Sequence, residues 1–169
     1  KMASGKMNEE NKSSMLEKIS GNTKEVIDKM GDIVWMMNPK YDEGENLREK
    51  FEQYISRIRD VANFKVQLEI HADIDAIKFP MEIRKTIFLI FKEAINNTLK
   101  YAEATRLFIS LSMIEKNIQL IISDNGKGFN TVTITSGNGL NTMALRAKNC
   151  KGNFAIQSIE GKGTEIKII

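Results

Sequence analysis

Apolar residues recur at Leu16, Ile19, Val26, Met30, Ile33 and Met37, with Thr23 in the missing position. The steps alternate three and four, which is the seam of a helix packing in a coiled coil or bundle. Met15, Ile27 and Val34 widen the stripe and favour a bundle over a two-stranded coil. Gly21 and Gly31 weaken the helix, so it depends on partners. Asn38-Pro39 ends it, because the residue before proline disfavours helical geometry. A lone helix with this face exposes a long apolar strip, so the pattern predicts self-association.

The pattern then changes period. A second helix is predicted over Glu45–Ala62, with Leu47, Phe51, Tyr54, Ile58 and Val61 on its buried face. From Phe64 to His71, Val66, Leu68 and Ile70 alternate with Lys65, Gln67 and Glu69, the signature of a half-buried strand. Pro80 suits the start of a third helix, where its missing N–H is harmless. That helix is predicted to reach about Tyr101 and is apolar on most sides: Ile83, Ile87, Phe88, Ile90, Phe91, Ala94, Ile95 and Leu99. Strands are predicted at Arg106–Ile114 and Asn117–Ser123, joined by a Glu115-Lys116 turn. A helix follows from about Leu140 to Cys150, then strands Phe154–Ile159 and Glu165–Ile169 hinged at Gly161-Lys162-Gly163. There is no internal repeat or low-complexity tract.

The length of 169 residues fits one ordinary domain with an extension, and 41% apolar residues suffices for its core. Residues 1–7 are read as a tag remnant or frayed terminus, 8–40 as the bundle helix and 41–169 as the domain. A net charge of +3 with dispersed lysines lacks the basic stripe of a nucleic-acid binder. The single cysteine, Cys150, allows no internal disulfide and suits a reducing cytoplasm; it reads as a partly buried thiol near a helix end. The apolar run Ile87–Phe91 is too short to span a bilayer, and the polar start lacks the apolar core of a signal peptide.

Three segments carry candidate chemistry. On the third helix Glu93, Asn97 and Lys100 are spaced four and three apart and share one face. A carboxylate and an amide oxygen there can hold Mg²⁺ directly or through water, and the lysine can meet a phosphate; alone, the same spacing also describes a solvated stripe. The second segment, Asp124-Asn125-Gly126-Lys127-Gly128-Phe129, follows a strand. It puts a carboxylate, which suits the exocyclic amine of adenine, beside a bend where a ligand can approach backbone; a plain tight turn is the other reading. The third, Gly137-Asn138-Gly139-Leu140, opens a helix whose first N–H groups can bind phosphate oxygens. No Walker A loop occurs, and the dinucleotide fingerprint lacks its third glycine.

In order, Glu93-x-x-x-Asn97-x-x-Lys100-x-Ala102, Asp124-x-Gly126-x-Gly128, Gly137-x-Gly139-Leu140 and Gly163-Thr164 resemble the ATPase superfamily shared by gyrase, heat-shock chaperone ATPases and histidine kinases. Lys100-Tyr101-Ala102 and the short gap between the glycine boxes are similar to sensor kinases of the nitrate-sensor class. Asp32-Ile33-Val34-Trp35 through Asn38-Pro39 resembles the end of the second dimerisation helix of such kinases. The resemblance implies an α/β two-layer sandwich, with a mixed sheet backed by helices (the Bergerat-type ATP-binding fold), preceded by a long bundle helix. It implies that Asn97 coordinates Mg²⁺, Glu93 holds a metal-bound water or the attacking group, and Lys100 touches phosphate. Asp124 would bind the adenine amine, with Gly126 and Gly128 making room for the base. Gly137 and Gly139 would wrap the phosphates, with Leu140 beside them, and Thr164 would support the adenine pocket through water. Phe129–Asn138 would form a lid.

The chain departs from the family at two points. Tyr101 stands where a histidine is usual, which bears on catalytic efficiency more than on nucleotide binding. His71, the only histidine, is followed by Ala72 rather than by an acid and lies in a predicted strand, so the phosphoacceptor is expected upstream of Lys1. The resemblance thus implies a cytoplasmic catalytic domain with ATP and Mg²⁺, a response-regulator partner, and a homodimer through helix 12–38. It implies no nucleic acid and no membrane contact by this segment, and no autophosphorylation without an added acceptor. Two alternatives stay open: an ATP-binding regulatory module or anti-sigma-type serine kinase, and a dimerisation scaffold with a degenerate pocket.

Overall fold

The computed structural model describes residues 2–131 and 138–169, in two compact units, 1–38 and 39–169. The first is a single helix, α1 (Met2–Met37), which begins well ahead of the periodic stretch and stops at Asn38-Pro39. Its seam residues Leu16, Ile19, Val26, Met30, Ile33 and Met37 are 50–66% exposed.

The second unit runs α2 (Gly44–Arg59), β1 (Lys65–Ile70), α3 (Met81–Asn97), a π-turn (Thr98–Ala102), β2 (Arg106–Ile114), β3 (Asn117–Asp124), α4 (Asn138–Asn149), β4 (Phe154–Ile159) and β5 (Gly163–Ile168). The five strands form one mixed sheet in the order β1-β2-β3-β5-β4. β1 and β2 are parallel, joined through α3, and the remaining pairs are antiparallel.

Alternation along each strand assigns its side chains to two faces. On the inner face, register aligns Leu68, Ile109, Ile122, Ile166 and Ile156 in one row across all five strands. A second row is Ile70, Leu111, Leu120, Ile168 and Phe154. The outer face carries Lys65, Gln67, Glu69, Arg106, Ser110, Ser123, Glu165 and Lys167, so the sheet needs helices on one side only. α2 packs on β1, α3 on β3 and α4, and α4 on β4. Between α2 and α3 the rings of Phe51 and Phe91 stack with centroids 3.8 Å apart, and Tyr54 meets Phe91 edge-on at 5.4 Å.

The structure corrects four details of the sequence reading. α2 closes early, because the Ile58 carbonyl accepts the N–H groups of both Val61 and Ala62, and Val61 is left 69% exposed. His71 lies just past β1, exposed, at the start of a 3-10 turn, with its N–H still bonded to Leu111 O at 3.0 Å. α-Helical geometry ends at Asn97 rather than near Tyr101, and the chain continues as the π-turn. Arg84, on the nominally apolar α3, is fully buried, its Nη1 paired with Asp42 Oδ1.

Candidate functional site

The third inner-face row changes character across the sheet. It begins with Val66 and Leu107 and then becomes Asp124, Thr164 and Ser158. A polar row on a face otherwise packed with aliphatics marks where the sheet stops serving the core. Above it opens a cleft of about 560 Å³, walled by the end of α3, the π-turn, the segment after β3 and the start of α4. Its apolar lining includes Ala94, Ala102, Ile122, Leu140 and Ile166.

At the sheet end, both oxygens of the Asp124 carboxylate are held. Oδ1 accepts from the Gly126 N–H at 2.9 Å and Oδ2 from the Thr98 hydroxyl at 3.3 Å. Thr164 stands opposite Asp124 in register, its hydroxyl 2.9 Å from that of Ser158. Ser158 also accepts the Phe129 N–H at 2.9 Å, which ties the segment after β3 to β4. The Gly126 backbone is laid against the π-turn: a Cβ there would lie 2.2 Å from Ala102 O, which accepts the Lys127 N–H at 2.7 Å.

At the helical end, Glu93 and Asn97 lie one turn apart on α3 and face the first turn of α4. A Cβ on Gly139 would fall 2.4 Å from Glu93 Oε1 and 3.7 Å from the Asn97 amide nitrogen. A carboxylate and an amide therefore converge on the point where helix α4 begins. Hard oxygen donors of this kind fit Mg²⁺. Among the described residues no three His, Cys, Asp or Glu cluster together. Mg²⁺ held here would take its remaining oxygens from water and phosphate, the usual arrangement for a nucleotide-bound ion. On the segments flanking the cleft, Lys127 Nζ pairs with Glu103 Oε1 at 2.8 Å; that hydrogen bond and the lysine's charge hold the Glu103 carboxyl below its ordinary range.

The cleft gathers Glu93, Asn97, Asp124, Gly128, Gly139, Leu140 and Thr164. Gly126 lies buried outside its lining, and Lys100 is exposed and does not line it. A π-turn closes five residues on rather than four, so Tyr101, four residues past Asn97, takes the lining place expected of Lys100. Gly137, and the part of the expected lid at 132–137, lie outside the described residues. The sequence reading gave no site role to Ala94, Thr98, Ile122, Lys127 or Ile166, which line the cleft as well. Thr98 was legible as a polar residue beside Asn97 on an apolar helix, whereas Ile122 and Ile166 become lining only through strand pairing.

A mixed sheet with one polar inner row, and a cleft closed by a helix N-terminus over an acid–amide pair, defines a nucleotide-binding α/β sandwich. Residues 82–169 match the family of histidine kinase-, DNA gyrase B- and HSP90-like ATPases, and the chain belongs to that family. The sequence relatives it is similar to are sensor histidine kinases, in line with the resemblance. It is 28% identical over 155 residues to the sensor histidine kinase LiaS of Bacillus subtilis, covering 91% of this chain and 41% of LiaS. It is 27% identical over 113 residues to the oxygen sensor histidine kinase NreB of Staphylococcus carnosus, covering 67% and 32%. Over 66 residues it is 42% identical to the sensor protein VraS of Staphylococcus saprophyticus, covering 39% and 19%. The chain thus spans well under half of these relatives' lengths. Among solved structures, the fold is shared with the histidine kinase domain of the Erythrobacter litoralis EL346 blue-light activated histidine kinase, with a TM-score of 0.61 and 18% identity over 74% of this chain and 58% of that one. It is shared also with the Acinetobacter baumannii histidine kinase AdeS, with a TM-score of 0.58 and 19% identity over 92% and 82%.

Proposed function

We propose that this chain binds ATP with Mg²⁺ and transfers the γ-phosphoryl group to a histidine on a helix outside this sequence, for relay to a response regulator. The observation that carries the reading is the joining, in one cleft, of an acceptor for an amine (Asp124) and an acid–amide pair for a metal–phosphate group (Glu93, Asn97). Asp124 receives the adenine amine, with Thr164 beside it in register. Asn97 ligates Mg²⁺, with Glu93 reached through water. Bound Mg²⁺ supplies charge neutralisation on the phosphates. Glu93 orients the attacking imidazole, whose nitrogen bonds to the γ-phosphorus as the bond to the β–γ bridging oxygen breaks and ADP leaves. Gly139, at the start of α4, wraps the phosphates, and Gly137 shares that role in this reading. Lys100, exposed and outside the lining, is the cation this reading brings to the phosphates.

His71 is a poor acceptor for its own cleft. It lies past Ile70, at the opposite end of the sheet from the Asp124 row. Helix α1, with its apolar seam exposed, serves in this reading as the second helix of a dimerisation hairpin. Among the described residues no helix is long and apolar enough to cross a membrane, and we place the domain on the cytoplasmic side.

The test is to join the chain to an upstream helix carrying a His-Asp or His-Glu pair and supply γ-labelled ATP. Acid-labile, base-stable phosphate on that histidine is expected. Tight ATP binding with phosphate appearing only on serine of a partner would replace this reading with the serine-kinase alternative.

A further inference from the structure

Thr98 is a buried hydroxyl that the roles above do not use. It is 4% exposed, opens the π-turn and lines the cleft. Its Oγ lies 3.3 Å from Asp124 Oδ2 and also 3.3 Å from Ala94 O, the carbonyl one turn back. A threonine inside a helix can bond that carbonyl alone. An apolar residue of similar volume would fill the same space without leaving a hydroxyl to satisfy. The hydroxyl has one proton to share, and the ionised carboxylate is the stronger acceptor.

The two donors act on different oxygens of the same group. Gly126 N–H holds Asp124 Oδ1 from the loop side, and Thr98 holds Oδ2 from the helix side. Two fixed donors leave the carboxylate little freedom to rotate, and each oxygen keeps lone-pair capacity for a further donor. A base with an amine at this position would meet an acceptor already aimed. A base with a carbonyl oxygen there would meet like partial charge at the carboxylate.

We infer that Thr98 is a positioning residue that orients Asp124 to select a 6-amino purine over a 6-oxo purine. This rests on the ATP reading above and adds to it the residue that sets base discrimination.

The experiment measures the Kd of ATP and of inosine triphosphate, each with Mg²⁺, for the full chain and for Thr98→Val, Thr98→Ser and Asp124→Asn. Thr98→Val is expected to weaken ATP binding about fivefold, the loss of one hydrogen bond to a charged group. Inosine triphosphate should bind the variant as it binds the parent, so the preference shrinks by the same factor, and Thr98→Ser should restore it. Thr98→Ala repeats the test if the valine variant does not fold. Unchanged preference in both deletion variants, or equal weakening of both nucleotides, overturns the role of Thr98. If the parent chain itself shows no preference, or Asp124→Asn leaves the preference intact, the assignment of Asp124 to the base fails instead.

Discussion

Gly139, at the start of α4, faces the Glu93 carboxylate of α3 so closely that a single added carbon would lie 2.4 Å from Oε1. The contact is with the tip of a flexible side chain, so the fold can absorb a methyl group while the carboxylate cannot stay in place. Gly139→Ala is therefore expected to keep the melting temperature of the free protein within a few degrees. ATP·Mg²⁺ affinity should fall about tenfold, because Glu93 is displaced from the proposed metal and phosphate end. Calorimetric titration alongside thermal unfolding separates the two effects.

Gly126 gives the opposite result for a physical reason. A Cβ there would meet backbone, 2.2 Å from Ala102 O and 2.8 Å from its carbonyl carbon. Gly126→Ala must move the π-turn or the segment after β3. It should destabilise the nucleotide-free fold by about 2 kcal/mol, the scale of overpacking in a tight site. Urea unfolding of the free chain checks this, and an unchanged midpoint would mean that this backbone contact is not maintained in solution.

The buried end of α3 depends on a charge that the hydrophobic pattern concealed. Arg84 is fully buried and pairs with Asp42, whose side chain is one-third exposed. Removing the partner leaves a buried cation short of one acceptor, a change that typically costs about 3 kcal/mol. Asp42→Ala should lower the urea midpoint by that equivalent. Replacing Arg84 and Asp42 together by apolar residues should recover much of the loss.

The fold was legible where periodicity was long and one-sided. Leu16 to Met37 gave a helix, Val66–Leu68–Ile70 a half-buried strand, and the two ends of the chain's last hairpin came within a residue or two. Glu93 and Asn97 were legible as polar residues on an otherwise apolar helix, and Asp124 as an acid at a strand end ahead of two glycines. What stayed hidden depended on pairing between distant segments. Ile122 and Ile166 look like ordinary core, and only their register beside the polar row makes them cleft lining. The π-turn was invisible because Thr98–Ala102 continues a helical pattern, and the change of pitch that puts Tyr101 where Lys100 was expected is a property of backbone closure. Arg84 was absorbed into an apolar helix because its partner lies forty-two residues away in sequence.

The Lys127–Glu103 pair makes stability near the cleft depend on pH. Lys127 holds the exposed Glu103 carboxyl below its ordinary range, first through the hydrogen bond and then through charge. A carboxyl whose folded pKa is lowered favours the folded state above its unfolded pKa. The contribution is lost as pH falls through the folded value. In an NMR titration Glu103 should titrate below a typical glutamate, and Lys127→Ala should move it back up. Raised salt should narrow the difference, since the pair is open to solvent. Identical titration in both proteins would mean that the pair does not form.

The central claim is that one cleft reads both the base and the metal–phosphate end of ATP, and the direct measurement is isothermal titration of ATP into the chain. It requires four arms: the parent chain with Mg²⁺, the parent chain with chelator, Asn97→Ala with Mg²⁺, and Asp124→Ala with Mg²⁺. Saturable binding that weakens at least tenfold on chelation is expected, with both substitutions also weakening it at least tenfold. The Asn97→Ala variant should in addition become indifferent to Mg²⁺, whereas Asp124→Ala should retain its Mg²⁺ response. ATP binding of the same strength in all four arms would contradict the account.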